Sequence, residues 1–425
     1  MIPAARARAE VVDSLRTGDH VGRVPTGRAC VGLVALHLAA AARTLARRRP
    51  TATPGAPGEL RLVVANPVAH GARLADAALR SAREAGIEVA VVADRRLATD
   101  TLPVDEDFPA IGVRSVVSLV DGRSLTWAWS VLAHRAAWGG GRTTSRLVHA
   151  YLVLAQSVRY HHAFARVRSA PPTVRYLVDF DRHTYTRPWS WAASVHGRGL
   201  ATLVHGSPSE ATYLPFVAPR VLVWGEVQAE FVRRAGAEPV VVGRPEVVAA
   251  RAGSGQSTAL VCHSMEDLTE TEVERLGGLL TQLRAAGYDL VLKLHPRNDG
   301  EQPAGTGWST VARWADRQLD GSTPLDAVLD QDTVVVTVTS TAAVDALAVG
   351  AAALVVSDPD RALACDLAAV RAWTRSVGDP ARVAGHGVDR LRASLVAASG
   401  PEASALLGRA LRDLVDGPVA SATAR

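Results

Sequence analysis

From residue 59 onward this chain alternates short apolar runs with amphipathic stretches that close on glycine, and it runs through the plan twice. The apolar runs at 60–65, 87–92, 113–120, 173–179, 200–204, 221–223 and 239–242 have the length of strands, as do 259–262, 290–294, 334–338 and 353–356. Between them, 72–85 before Gly86, 269–286 before Gly287 and 342–349 before Gly350 read as helices with the glycine that helix C-termini prefer. Strands separated by helices imply parallel sheets. The series breaks at 248–257, where Ala252-Gly253-Ser254-Gly255 is small and polar. The expected architecture is α/β: two Rossmann-like domains, 59–250 and 251–425, facing across a cleft, behind an N-terminal extension at 1–58.

A composition of 48% hydrophobic and 21% charged residues fits a globular chain with a sizeable core. The net charge of +5 is not gathered into a basic block or an RNA-binding signature, so nucleic acid is not an expected partner. Cys30, Cys262 and Cys365 are isolated and lack zinc spacing, which argues against disulfides and metal and for a reducing cytoplasm.

The first 58 residues differ from the rest. An apolar run at 29–42, interrupted only by His37, is flanked by Arg28 and Arg47-Arg48-Arg49. It is shorter than the roughly 20 residues a bilayer span needs, and the charged stretch before it is too long and too acidic for a signal sequence. Two readings stand: a helix packed on the body, or one lying through 29–49 on the inner, anionic face of a membrane. Residues 51–58, rich in Pro and Gly, read as a linker. Further on, 127–168 mixes aromatics with arginines, and Gly139-Gly140-Gly141 divides it into two helices.

Ligands of open α/β sheets sit at the C-terminal ends of strands, and two such ends here are polar. Leu292-Lys293-Leu294-His295-Pro296-Arg297 offers three cationic groups, one of them the chain's only lysine. The run 336–341 ends on Ser340-Thr341, two hydroxyls at a helix start where backbone N–H groups favour an anion. A helix cap or a strand-end lysine would explain each alone. Together they suit a diphosphate leaving group held without metal. In the first half, 201–207 runs into the His205-Gly206-Ser207 turn, where an imidazole with a pKa near about 6.5 could take a proton from an acceptor hydroxyl. Asp181 and His183, after the strand at 173–179, form a second polar cluster, and Asp121-Gly122 reads most simply as a turn. Asp105-Glu106-Asp107 reads as a solvated loop.

His205-Gly206, Tyr213-Leu214-Pro215, Val223-Trp224-Gly225-Glu226, His295-Pro296 and Ser340-Thr341, in this order, resemble bacterial GT-B glycosyltransferases of surface-polysaccharide synthesis. The nearest groups are the polysialyltransferase and capsule Kdo-transferase families and the CDP-glycerol glycerophosphotransferases of teichoic acid synthesis. The resemblance covers roughly 173–356. It implies transfer of a sugar or polyol phosphate from a CMP/CDP- or UDP/dTDP-linked donor to a glycan or lipid-linked acceptor, with no other cofactor. Lys293, His295, Pro296, Arg297, Ser340 and Thr341 would hold the donor phosphate. His205 would be the base, with Asp121 and Asp181 ranked after it and Gly206, Ser207 and His183 on the acceptor side. Val120-Asp121-Gly122 departs from the polysialyltransferase pattern by supplying one acid where two are expected. A nucleotide-sugar 2-epimerase shares the two-domain plan, but its Asp-Ser-Gly-Gly strand end is here Thr339-Ser340-Thr341-Ala342. A non-catalytic subunit of a polysaccharide assembly complex is the remaining alternative.

Overall fold

The computed structural model of the protein describes residues 4–16, 26–45, 58–64, 69–94, 97–107, 116–133, 143–247, 253–264, 266–296, 298, 305–377 and 388–417. In chain order the elements are α1 (Ala4–Arg16), α2 (Thr26–Leu45), β1 (Leu60–Val64), α3 (Ala69–Glu84), β2 (Val89–Ala93), β3 (Glu106–Asp107), α4 (Gly122–Ala133), α5 (Thr143–Ser169), β4 (Arg175–Val178), α6 (Arg187–Val195), β5 (Leu200–Leu203), α7 (Glu210–Tyr213) and β6 (Arg220–Val223). Then come α8 (Glu226–Arg234), β7 (Glu238–Val241), β8 (Thr258–Cys262), α9 (Glu270–Ala285), β9 (Asp289–Lys293), α10 (Thr306–Ala312), β10 (Arg317–Leu319), β11 (Thr333–Thr337), α11 (Ala342–Ala348), β12 (Ala352–Val355), α12 (Cys365–Val377), α13 (Val388–Leu395) and α14 (Gly400–Asp416).

The strands form a seven-stranded sheet ordered β3-β2-β1-β4-β5-β6-β7 and a five-stranded sheet ordered β10-β9-β8-β11-β12. The pairings from β3 to β5 are parallel, as are all four in the smaller sheet. Every residue of β1 and β11 is buried, as expected where helices cover both faces of a parallel sheet. The chain divides into two compact α/β units: Met1–His205 with Thr212–Val221 and Gly408–Arg425, and Gly206–Ala211 with Leu222–Leu407.

In the first unit one core lies on the sheet, where Val63, Val92, Tyr176 and Val178 pack with Trp189 of α6. A second core is built mainly on helices: Val11 of α1, Leu36 of α2, Val131 of α4 and Tyr151 and Leu154 of α5 meet within it. Gly32 lets α2 approach the Tyr151 ring, which would stand 2.4 Å from any Cβ there. The end of α14 closes this unit. Gly408 lies against the Ser81 carbonyl, Arg412 donates to Ala85 O, and Arg175 donates to Leu414 O (3.2 Å) and Gly417 O (3.0 Å).

In the second unit Val261, Leu292, Val336 and Leu354 pack against Leu276 and Leu283 of α9 and Trp308 of α10. Helix α9 starts with a capping box in which Thr269 and Glu272 satisfy each other's backbone N–H. Gly86, Gly287 and Gly350 each follow a helix with positive φ, matching the sequence pattern.

Two sequence expectations are corrected, and one strand is added. Within the run 113–120, residues 116 and 117 are helical and a turn follows, while 113–115 lie outside the described residues. Val116 and Val120 are buried in the helical core, and Arg43 of α2 donates to the carbonyls of Val117 and Val120. Packing on helices overrides the β propensity of a valine-rich run. The acidic run at 105–107 is an edge strand, not a solvated loop: buried Glu106 pairs with Arg166 at 2.9 Å and with Arg61 at 3.9 Å. The added strand is β10, whose three residues are too few to show a period. The division of 127–168 into α4 and α5 follows the sequence, although Gly139-Gly140-Gly141 lie outside the described residues.

Candidate functional site

The two polar strand ends of the second unit are not neighbours, because β8 runs between β9 and β11. It contributes a third polar end, Cys262-His263-Ser264. The His263 N–H donates to Lys293 O (3.0 Å), and the His295 N–H donates to Nδ1 of the His263 ring (3.3 Å). An accepting Nδ1 assigns the proton of a neutral imidazole to Nε2. The ring stands edge-on to Trp308, with centroids 5.0 Å apart. His263 therefore seats the backbone of His295, whose side chain is half-buried beyond the strand. The signal that marks the other two ends, an apolar strand stopping at polar residues, marks His263 too.

Lys293 is buried, and its ammonium donates to the carbonyls of Leu294 (2.7 Å), Asp320 (2.9 Å) and Gly321 (3.3 Å). Three donors meet three carbonyls. Burial pulls its pKa below the ordinary lysine value. The residue ties the 320–321 turn onto the end of β9, and Leu294 N–H to Leu319 O (2.9 Å) continues the seam. In this arrangement Lys293 supports His295 from within. Pro296 is exposed, and Arg297 lies outside the described residues.

At the end of β11, Ser340 N–H donates to Thr337 Oγ1 (3.1 Å), and Ser340 Oγ accepts from Ala342 N–H (3.3 Å). Thr341 is exposed and its side chain caps no helix N–H. Beside α11, buried Arg244 pairs with Asp345 (2.5 Å) and Glu246 (2.9 Å) and lies over the Trp224 ring at 4.4 Å. Trp224 N–H donates to Gln228 Oε1 (2.9 Å), and Gln228 Nε2 donates to Asp366 Oδ2 (2.7 Å). Ser207 Oγ accepts from Asp366 N–H (3.1 Å), and Pro208 O accepts from Cys365 N–H (2.8 Å). Gly206 and Ser207 thus belong to the second unit, where Ser207 caps α12.

In the first unit, β4 and β5 are adjacent and their ends bring the other candidates together. His205 is half-buried, with Nδ1 3.1 Å from the Tyr213 hydroxyl and its ring 4.5 Å from Phe180. Phe180 also contacts the His183 ring at 6.3 Å, and His183 Nδ1 accepts from Tyr185 N–H (3.3 Å). Asp181 is fully buried. Its Oδ2 accepts from Val217 N–H (2.6 Å) and Ala218 N–H (2.8 Å), while Arg182 donates to Leu214 O. Together they anchor the 214–218 loop that follows Tyr213. Asp121 stands apart as the cap of α4: its Oδ1 accepts from Ser124 N–H (2.7 Å), and its own N–H donates to Ser124 Oγ (2.8 Å).

Burial pushes the Asp181 carboxyl up to about 6, against the two N–H donors that favour its charged form. Between about pH 4 and 6 the folded protein therefore holds a proton that the unfolded chain has released, so this residue's contribution to stability falls as pH rises through that window. Asp181→Asn keeps the acceptor for Val217 and Ala218. Its stability relative to wild type is expected to improve by about 1–3 kcal/mol between pH 4 and 7. Melting both proteins across that range measures the difference, in which Asp366, also raised to about 6, and buried His162, lowered to about 4, cancel. A constant difference would show that the carboxyl folds in charged.

No cluster of three His, Cys, Asp or Glu side chains able to hold a metal occurs among the described residues. No helix among them is long and apolar enough to cross a membrane.

No family model matches the sequence, and no curated protein matches it. Solved structures similar to it include MnaA of S. aureus with UDP, 13% identical, covering 83% of this chain and 95% of that one at a TM-score of 0.43. Another is the UDP-GlcNAc 2-epimerase of Neisseria meningitidis bound to UDP-GlcNAc, at 9% identity, 83% and 98% coverage and a TM-score of 0.46. MurG of Acinetobacter baumannii is 12% identical, with 84% and 100% coverage and a TM-score of 0.43. At such identities and TM-scores the chemistry of this chain has to be argued from its own residues.

Proposed function

We propose that the protein is a nucleotide-sugar-dependent transferase of GT-B type, moving a sugar or polyol phosphate to a hydroxyl of a glycan or lipid-linked acceptor of the cell surface. The observation that carries this reading is the C-terminal edge of the five-stranded parallel sheet, where three adjacent strands end in His295, His263-Ser264 and Ser340. Open α/β sheets bind ligands at that edge. The His295 backbone is fixed there by His263 and by the Lys293 staple, so the imidazole can meet a phosphate without first being ordered. Ser340 and Thr341 supply hydroxyls to the same ligand, beside Pro296. In the first unit His205, oriented by Tyr213, is the base that takes the acceptor proton, with His183 nearby. The contacts of Asp181 and Asp121 favour His205 over both. Work on a cytosolic nucleotide donor places the protein in the cytoplasm. The reading includes the polysialyl-, Kdo- and glycerophosphotransferase types as its subclasses.

Calorimetric titration of the full chain with CMP, CDP, UDP, GDP and dTDP tests the reading. One product nucleotide is expected to bind, and His295→Ala to weaken it by about 10–100-fold, the loss of one hydrogen bond to a charged group. Binding by none of the five would overturn it. With the matching nucleotide sugar, epimer formed without an acceptor would assign the chain to the 2-epimerases instead.

A further inference from the structure

We infer that the exposed face of α2, together with Trp129 of α4, docks on an anionic lipid bilayer. The inference stands apart from the transfer reading, since neither donor nor turnover enters it. All five exposed large hydrophobic side chains among the described residues lie in α2, α4 and α5: Val31, Val34, Leu38, Trp129 and Leu147. Val31, Val34 and Leu38 follow the i, i+3, i+7 spacing of one helix face and are 60–66% exposed. Exposed Gly27, Ala41 and Ala42 fill out that face without a charge. The opposite face is fixed, with Ala29, Leu36 and Ala40 buried in the helical core and Gly32 closed on Tyr151. Leu147 lies one turn before Tyr151 on α5, the residue on which Gly32 of α2 closes.

Trp129 is built to enter an apolar medium. Its indole N–H donates to His37 Nε2 (3.0 Å), and His37 Nδ1 donates in turn to Leu33 O (2.7 Å). The donor that would otherwise cost energy in lipid is satisfied within the protein, while the ring stays 43% exposed.

Charge selects the occupant. Residues 20–58 contain six arginines and no acid, and residues 122–178 contain eight arginines and no acid. Some are committed inside, as Arg43 is to the Val117 and Val120 carbonyls and Arg159 to Gln156 and Thr184. Exposed Arg28 and Arg146 flank the face. Of the acids that border these stretches, Asp19 lies outside the described residues, Glu59 pairs with Arg412 at 3.8 Å, Asp121 caps α4 and Asp179 is buried, while Glu10 and Asp13 of α1 pair with Arg187. A second copy of the same face would set arginine against arginine. An anionic headgroup layer over acyl chains matches both the charge and the apolar stripe.

The test is flotation of the full-length protein with vesicles of equal parts phosphatidylglycerol and phosphatidylcholine, against phosphatidylcholine alone. Binding is expected to the anionic vesicles only and to weaken with salt. Leu38→Asp and Val34→Asp, at exposed positions, are expected to lower it about tenfold or more while melting like wild type. Brominated lipid should quench tryptophan fluorescence in wild type, with less quenching in Trp129→Phe. Absence of wild-type binding, or undiminished binding by both Asp variants, overturns the inference. So does a solution dimer that Leu38→Asp dissociates and that ignores vesicles.

Discussion

His205→Ala is expected to lower transfer turnover by about 10²–10⁴-fold, the range a positioned general base supplies, with nucleotide binding and melting temperature unchanged. The ring is half-buried, so its loss leaves a small gap at the end of β5. The decisive readout is the pH profile: the acidic limb of kcat, set by imidazole protonation in the wild type, should vanish in the variant, and added imidazole should restore part of the rate. Tyr213→Phe removes the hydroxyl 3.1 Å from Nδ1 and so acts through the orientation of the ring. It should cost less, about tenfold, and leave the pH profile in place. Full turnover in His205→Ala would move the proton transfer to another group.

The largest stability effect is expected at Arg187. This buried guanidinium holds both oxygens of Glu10, at 2.5 and 3.0 Å, and Asp13 at 2.8 Å, and the Tyr160 hydroxyl donates to Glu10 at 3.0 Å. Arg187→Met leaves the largely buried Glu10 carboxylate facing an apolar side chain, and removing one member of such a pair costs about 3–5 kcal/mol. The expected value lies at the lower end because Asp13 is 41% exposed and keeps its solvent. Adding Glu10→Gln to Arg187→Met should recover part of the loss, since the stranded charge goes with it. Urea titrations of the two singles and the double measure the coupling, and purely additive effects would show that the pair contributes nothing.

Periodicity carried most of the fold, because apolar runs bounded by glycine-closed helices are a local property of the chain. It failed where tertiary packing outweighed local preference, as at Val116 and Val120, and where an element was too short to carry a period, as at β3 and β10. Among the site residues, sequence could find polar strand ends but not tell inward from outward. Lys293 and Asp181 stood out as charges, yet both are committed to backbone groups within their own units. Asp121 reads in sequence as a turn after a strand, whereas it caps α4; the helix-start pattern it makes with Ser124 three residues later is hidden by the valine-rich run before it. His263 ends an apolar strand as the other two polar ends do, and only the pairing order reveals that it stands between them.

Residues 408–417 lie against α3 and β4, more than 230 positions upstream. A chain emerging from a ribosome delivers β1 to β5 long before the segment that closes them, so the first unit waits, with the Ala85 carbonyl unpaired by Arg412 and Arg175 without its contacts to Leu414 and Gly417, until the second unit has been made. Its completion thereby reports that synthesis has passed through the second unit, and a chain broken off anywhere between the two segments leaves the first unit without its last piece.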